Sequence, residues 1–212
     1  GELAEEILNV HNLAQVLRKQ RFDNHAINFE TEEVKFKLDE NSKPIGVYLK
    51  VQKEANFLIE EMMPLANRRV AEKIGKKSSK NKEIKTFVYR VHDEPIEDKL
   101  ATFKNFVGKL GYDLQAGNRK QFTESLNKML EAAKEKNEYG LLGKLSVRIM
   151  ARAIYTTDNI GHFGLAFPYY THFTSPIRRY PDLMVHRLLD DYLNQKPSAN
   201  KVQFDEYCKH CS

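Results

Sequence analysis

Apolar positions recur first with a helical period. Leu3, Ile7, Leu8, Val10, Leu13, Ala14 and Leu17 predict an amphipathic helix over residues 3–20, ending near Arg21. A period of two takes over at Val34-Lys35-Phe36-Lys37-Leu38 and returns at Gly46-Val47-Tyr48-Leu49-Lys50-Val51, across the turn residues Asp39 to Pro44. That alternation predicts a β-hairpin, which as an isolated ribbon needs support from outside itself. Helical spacing resumes over residues 54–74 through Leu58, Met62, Leu65, Ala66 and Val70. Pro64 lies inside it, and its missing N–H predicts a bend.

After a lysine-rich connection, Thr86-Phe87-Val88-Tyr89-Arg90-Val91 is extended in character. Pro95 then opens a helix with an apolar face of Leu100, Phe103, Phe106, Val107 and Leu110, and Gly111 is its stop. Two more helices are expected at about 119–135 and 140–155. Residues 159–174 are rich in glycine and aromatics without a period, so they read as a loop or short strands. Ser175-Pro176 supplies a cap and a first-turn proline for a helix carrying Ile177, Tyr180, Leu183, Met184, Leu188 and Leu189, unless Pro181 forces a fresh start. The pattern as a whole is α+β and mostly helical, with no internal repeat.

Composition narrows the class. A chain of 212 residues that is 41% hydrophobic and 30% charged has enough apolar surface for a core, which removes disordered and fibrous readings. No apolar run is long enough to span a bilayer, and Glu2, Glu5 and Glu6 stand where a signal peptide needs an apolar block. Cys208 and Cys211 are the only cysteines, so no disulfide framework forms and a reducing compartment, the cytoplasm by default, is expected. With His210 they resemble half a zinc site, but the second ligand pair is absent. The formal charge of +5 fits a polyanion partner without demanding one. Lys73, Lys76, Lys77, Lys80, Lys82 and Lys85 read as a solvated linker, because Gly75, Ser78, Ser79 and Asn81 break any period.

Candidate chemistry crowds into Gly161 to Ala166 and Tyr170 to Leu183. A Thr/Ser loop feeding a helix can present backbone N–H groups to an anion, and arginine adds a bidentate phosphate donor. The alternative is a capped helix whose arginines pair with Asp182, Asp190 or Asp191. His162 and His172 lack a second ligand at helical spacing, so they suit loop packing or a phosphate contact better than a metal.

The stretches Gly161 to Ala166 and YTHFTSPIRRYPDLMVHRLL (Tyr170 to Leu189) carry a resemblance, joined by Ala55 to Glu61, Leu65 to Arg68 and Val88 to Pro95. Together they resemble the catalytic RNB domain of the ribonuclease II and ribonuclease R family, nearest its bacterial ribonuclease R branch. That resemblance implies a processive 3′-to-5′ exoribonuclease that uses magnesium to hydrolyse single-stranded RNA to nucleoside monophosphates. It implies a partial domain over residues 1–212, the central and C-terminal part of the fold. The family's metal-binding Asp-Leu-Asp-Asp type segment is not found between Gly1 and Ser212. Magnesium therefore belongs to the full-length protein, no metal ligands are expected within this stretch, and the stretch alone is expected to be inactive.

Three positions transfer by motif. Glu60, with Glu61 as its competitor, matches an active-centre glutamate. Arg178 matches the arginine that contacts the scissile phosphate. Phe29 matches an aromatic that stacks on a base near the 3′ end. Tyr170, His172, Thr174, Ser175 and Arg179 of the same motif become candidate RNA contacts. The reading from another class is a non-catalytic RNA-binding or scaffolding module that keeps the architecture without the chemistry. Apolar patches left exposed are expected on either reading.

Overall fold

The first helical pattern forms α1 (Ala4–Asp23) and the alternating segments form β1 (Glu33–Leu38) and β2 (Pro44–Lys50), paired antiparallel. The third pattern forms α2 (Glu54–Gly75), which runs on through Pro64. These elements come from a computed structural model that describes residues 1–29, 33–50, 53–77 and 83–212. Val51 of the expected hairpin, and Ser78, Ser79, Lys80, Asn81 and Lys82 of the lysine-rich connection, lie outside the described residues.

Further on, the extended segment shortens to β3 (Tyr89–Val91), followed by α3 (Glu97–Lys109), α4 (Arg119–Glu135) and α5 (Tyr139–Ile149). Gly111, at φ +83, ends α3 as expected. The helix expected over 140–155 stops at Ile149, and residues 154–156 form β4 (Ile154–Thr156) instead, antiparallel to β3. The override is tertiary: Tyr155 is buried opposite Arg90 in the ladder, which a continuing helix would not permit. The last two helices are α6 (Tyr180–Leu193) and α7 (Lys201–Cys211), the latter without a counterpart in the sequence reading.

Two cores result. In the first, α3, α4 and α5 bury Phe103, Val107, Phe122, Leu126, Leu130 and Leu142. In the second, Ala71 and Ile74 of α2, Val88 and Val91 beside the strand pair, Val185 and Leu188 of α6 and Cys208 of α7 pack together. Burial there pushes the Cys208 thiol up to about 12, which leaves it an inert packing group. Residues 159–179 run between the cores: Phe163 enters the first and Phe173 packs on the second.

The α1 helix forms where predicted, yet Leu3, Ile7, Leu8 and Leu13 stay exposed and Ala14 is its buried residue. On the hairpin, Val34 opposes Leu49 and Phe36 opposes Val47, an apolar face open to solvent. The C-terminal half of α1 is better held. Arg21 forms a two-point ion pair with Glu61 of α2, and Arg18 lies 4.4 Å over the Phe57 ring.

This division of burial predicts an uneven response to truncation. Leu126→Ala, in the first core, should cost about 2–5 kcal/mol in urea unfolding. Phe36→Ala, on the open hairpin face, should change stability by no more than about 0.5 kcal/mol. Equal losses at the two positions would show that the hairpin belongs to a core after all.

Candidate nucleic-acid site

The polar segment 161–182 holds its shape through hydrogen bonds from its surroundings. Gly161 adopts φ +82, a left-handed turn that suits glycine, and sends the chain into a bridge in which the His162 N–H donates to the Phe167 carbonyl at 2.8 Å. The hydroxyl of buried Thr171 donates to the Val88 carbonyl at 2.7 Å. From α2, buried Asn67 works in both directions: its amide donates to the Tyr170 hydroxyl at 3.2 Å, and its carbonyl accepts the Phe173 N–H at 2.9 Å. His186 of α6 stacks on Phe173 at 4.1 Å.

Of the two alternatives left by the sequence, the fresh start is the one that forms: the helix begins at Tyr180, and Ser175 to Arg178 make a separate turn closed by the Arg178 N–H on the Ser175 carbonyl at 3.3 Å. Pro181 explains the break. It has no N–H for the Ile177 carbonyl, so a single helix cannot run through it. Asp182, fully buried, ties the two pieces by accepting from the Ser175 N–H and from Arg179 Nη2, both at 2.8 Å. The two arginines therefore differ. Arg179 is half-buried on a carboxylate, whereas Arg178 is exposed and, among the described residues, its side chain meets only the Ser175 hydroxyl, at 3.4 Å.

Apart from the Arg179–Asp182 pair, the side chains packed around this turn are aromatic. The Tyr170 ring lies 5.3 Å from His162 and 5.8 Å from His172, and the Tyr155 hydroxyl and His172 Nδ1 share a hydrogen bond at 2.7 Å. Desolvation, reinforced by nearby positive charge, pushes His162 down to about 3 and His172 down to about 4. At neutral pH both are uncharged, so they pack and donate but do not add to the positive field. Tyr170 itself is buried with its hydroxyl engaged, so it sets the position of His172 and Phe173 rather than offering a face to a ligand.

Phe29 sits elsewhere on the same side. Asn127 of α4 clamps the chain ahead of it, donating to the Ala26 carbonyl and accepting from the Asn28 N–H, both at 3.0 Å. Phe29 then lines a cleft of about 640 Å³ with Arg21, His92, Arg148, Arg152 and His162. It is partly buried against the first core, so part of its ring packs and part faces the cleft. Glu60 and Glu61 separate clearly: the Glu61 side chain is 3% exposed and paired with Arg21, while that of Glu60 is 45% exposed, with Arg21 at 3.6 Å and Arg18 at 3.9 Å. Pro64 also withholds the N–H that the Glu60 carbonyl would accept in an unbroken helix.

His172, Thr174, Ser175, Arg178 and Arg179 are thus brought together on one short segment. Phe29 joins them through the His162 wall of its cleft. Glu60 contacts α1 arginines and none of these residues. Arg90, Arg152, His92 and Tyr155 were missed by sequence reading, because the β3–β4 pairing that assembles them joins segments far apart in the chain. Among the described residues no group of three or more His, Cys, Asp or Glu side chains is arranged to hold a metal ion. The described side chains therefore do not make a magnesium cradle by themselves. No described helix is long and apolar enough to cross a membrane.

Arginine and aromatic groups on a rigid polar segment, next to a basic cleft with a partly free phenylalanine, define a domain suited to binding a polyanionic strand. Comparison with known proteins is specific. The family model for the RNB domain matches residues 1–195, and the chain belongs to that family. Ribonuclease R of Vibrio cholerae serotype O1 is 38% identical over 199 residues, 94% of this chain and 23% of that protein. Ribonuclease R of Thermotoga maritima is 40% identical over 214 residues, 97% of this chain and 29% of that protein. Among solved structures, Mycoplasma genitalium RNase R in complex with ribose methylated single-stranded RNA is similar with a TM-score of 0.80 at 29% identity, over 98% of this chain and 32% of that one. The chain spans 23% to 32% of the length of these relatives.

The neutral histidines make a pH prediction. A group whose folded pKa is depressed stabilises the fold above its ordinary value and loses that contribution as pH falls. Stability should therefore drop as pH is lowered from 6.5 towards the value of about 4 for His172 and about 3 for His162. Urea midpoints taken from pH 7 to pH 4 should fall less steeply in His162→Asn than in the unaltered chain. Parallel curves would remove the histidine contribution.

Proposed function

We propose that this chain is the central and C-terminal part of the catalytic domain of a processive 3′-to-5′ exoribonuclease of ribonuclease R type, which hydrolyses single-stranded RNA to nucleoside monophosphates. The observation that carries the reading is the contrast within the Arg178-Arg179 pair. Arg179 is anchored on buried Asp182, and the anchored turn leaves Arg178 exposed and without a carboxylate among the described residues. A planar guanidinium so presented can bridge two oxygens of a phosphate and stabilise the charge that develops on them as the phosphodiester is attacked. Membership of the RNB family and the likeness to an RNA-bound relative support this use over a purely structural one.

Phe29 supplies a π-face to a base near the 3′ end, which suits an enzyme that advances along any sequence. Glu60 is the carboxylate available to orient a ligand, while Glu61 fixes α1 to α2 through Arg21. The magnesium of the reaction belongs to the full-length protein and supplies Lewis-acid stabilisation there.

Two outcomes are expected. Incubated with labelled single-stranded RNA and magnesium, this chain alone should release no mononucleotides, since among the described residues no His, Cys, Asp or Glu side chains group to hold a metal ion. Steady mononucleotide release by a nuclease-free preparation would overturn the partial-domain reading. In the full-length protein, Arg178→Ala should lower kcat by roughly 10²–10³-fold while changing RNA affinity far less. Arg178→Lys should rescue little, because an ammonium lacks the bidentate fork. Equal losses in affinity and rate would count against action in the transition state.

A further inference from the structure

A second arginine cluster lies beside the Arg178 turn; it adds Arg90 and Arg152, to which no role has been given, to the motif residue Arg179. Arg90 stands on β3 directly opposite Tyr155 of β4, with its guanidinium 4.6 Å over the Tyr155 ring. That stacking fixes the plane of the fork and leaves its N–H edges free. Arg90 and His92 share a face of the strand, and His92 stacks on His162 at 5.0 Å. Arg152 leads into β4 and lines the Phe29 cleft with both histidines. Arg179 approaches from the other side, held by Asp182.

Charge in this pocket is unbalanced. Arg90 is half-buried, and its own pKa is lowered first by desolvation, with Arg152 and Arg179 acting in the same direction and the Tyr155 and Tyr170 hydroxyls acting against it. Asp182 counters one of the three guanidiniums, and the neighbouring histidines are uncharged at neutral pH. Among the described residues three buried side-chain atoms beside this cluster lack a partner: Nε of Arg179, the hydroxyl of Thr174 and Oδ2 of Asp182. Buried polar atoms in native structures are ordinarily paired, and two donors against one acceptor leave the donor side in excess, which an external acceptor would satisfy.

We propose that Arg90, Arg152 and Arg179 form an anion subsite that holds one backbone phosphate of the strand, separate from the phosphate that Arg178 faces. Because Arg152 belongs both to this cluster and to the Phe29 cleft, the subsite links the stacked base to the Arg178 turn and sets the register between them. Identifying the bound phosphate with an RNA strand rests on the function proposed above; the affinity for phosphate does not.

The test uses the 212-residue chain in two arms. In the first, inorganic phosphate is titrated against the unaltered chain, Arg90→Gln, Arg152→Gln and Arg178→Gln and followed by ³¹P NMR. Loss of one charge-assisted fork should weaken phosphate binding about tenfold in Arg90→Gln and in Arg152→Gln, with little change in Arg178→Gln. Arg152 is exposed, so its variant carries the test if Arg90→Gln does not fold. Absence of phosphate binding, or binding indifferent to both Arg90→Gln and Arg152→Gln, overturns the subsite. In the second arm, single-stranded RNA is titrated over a range of salt, and Arg152→Gln should reduce the slope of log K against log salt by about 0.7. Arginine-dependent phosphate binding without RNA binding would keep the subsite and sink the RNA reading, whereas RNA binding with an unchanged salt slope would sink the subsite alone.

Discussion

A polypeptide segment with no regular secondary structure runs half-buried between two apolar cores, and the polar groups it buries need partners there. Leaving a buried N–H or C=O unpaired costs about as much as several favourable contacts return. The fold meets this demand with side chains sent in from elements distant in sequence. Asn67 of α2 serves Tyr170 and Phe173, Asp182 of α6 serves Ser175 and Arg179, and the Val88 carbonyl serves Thr171. Each bond fixes one point of the segment, and together they leave it one shape. The position of Arg178 follows from that shape rather than from its own contacts.

The same burial sets the electrostatics. Histidines enclosed by aromatic rings and surrounded by arginine cannot hold a proton at neutral pH, so the positive field comes from guanidiniums, which burial does not neutralise. Carboxylates are placed to anchor rather than cancel. Asp182 ties down Arg179, and Glu61 ties down Arg21, while Arg178 and Arg90 have no carboxylate partner among the described residues. A net charge of only +5 thus understates what a strand would meet, because the uncompensated part is concentrated on one side of a short loop.

The outer part of the molecule shows the opposite economy. The apolar faces of α1 and of the hairpin are regular and correctly patterned, yet Leu3, Ile7, Leu8, Phe36 and Val47 remain exposed. Local pattern is sufficient to form these elements, and only a neighbour can bury them. Where α1 does meet a neighbour, at Arg18 and Arg21, cation–π and ion-pair contacts with α2 hold it rather than apolar packing.

By itself the sequence determined where most helices lie, the presence of the hairpin, the break at Gly111 and the family, since periodicity, turn residues and a long motif are local properties that survive without a structure. It also singled out the Thr-Ser segment and Arg178, which stand within that motif, and, through the family resemblance, Glu60 and Phe29. Tertiary structure decided the rest. It turned residues 154–156 into a strand, because Tyr155 is worth more buried against Arg90 and His172 than in one further helical turn. It separated Glu60 from Glu61 and Arg178 from Arg179, adjacent pairs that spacing treats alike, by burying one member of each on an opposite charge. It also brought Arg152 and Arg179, from two other segments, close enough to Arg90 for their charges to act on it. Burial and charge proximity are properties of the packed chain, and no reading of neighbouring residues along the sequence contains them.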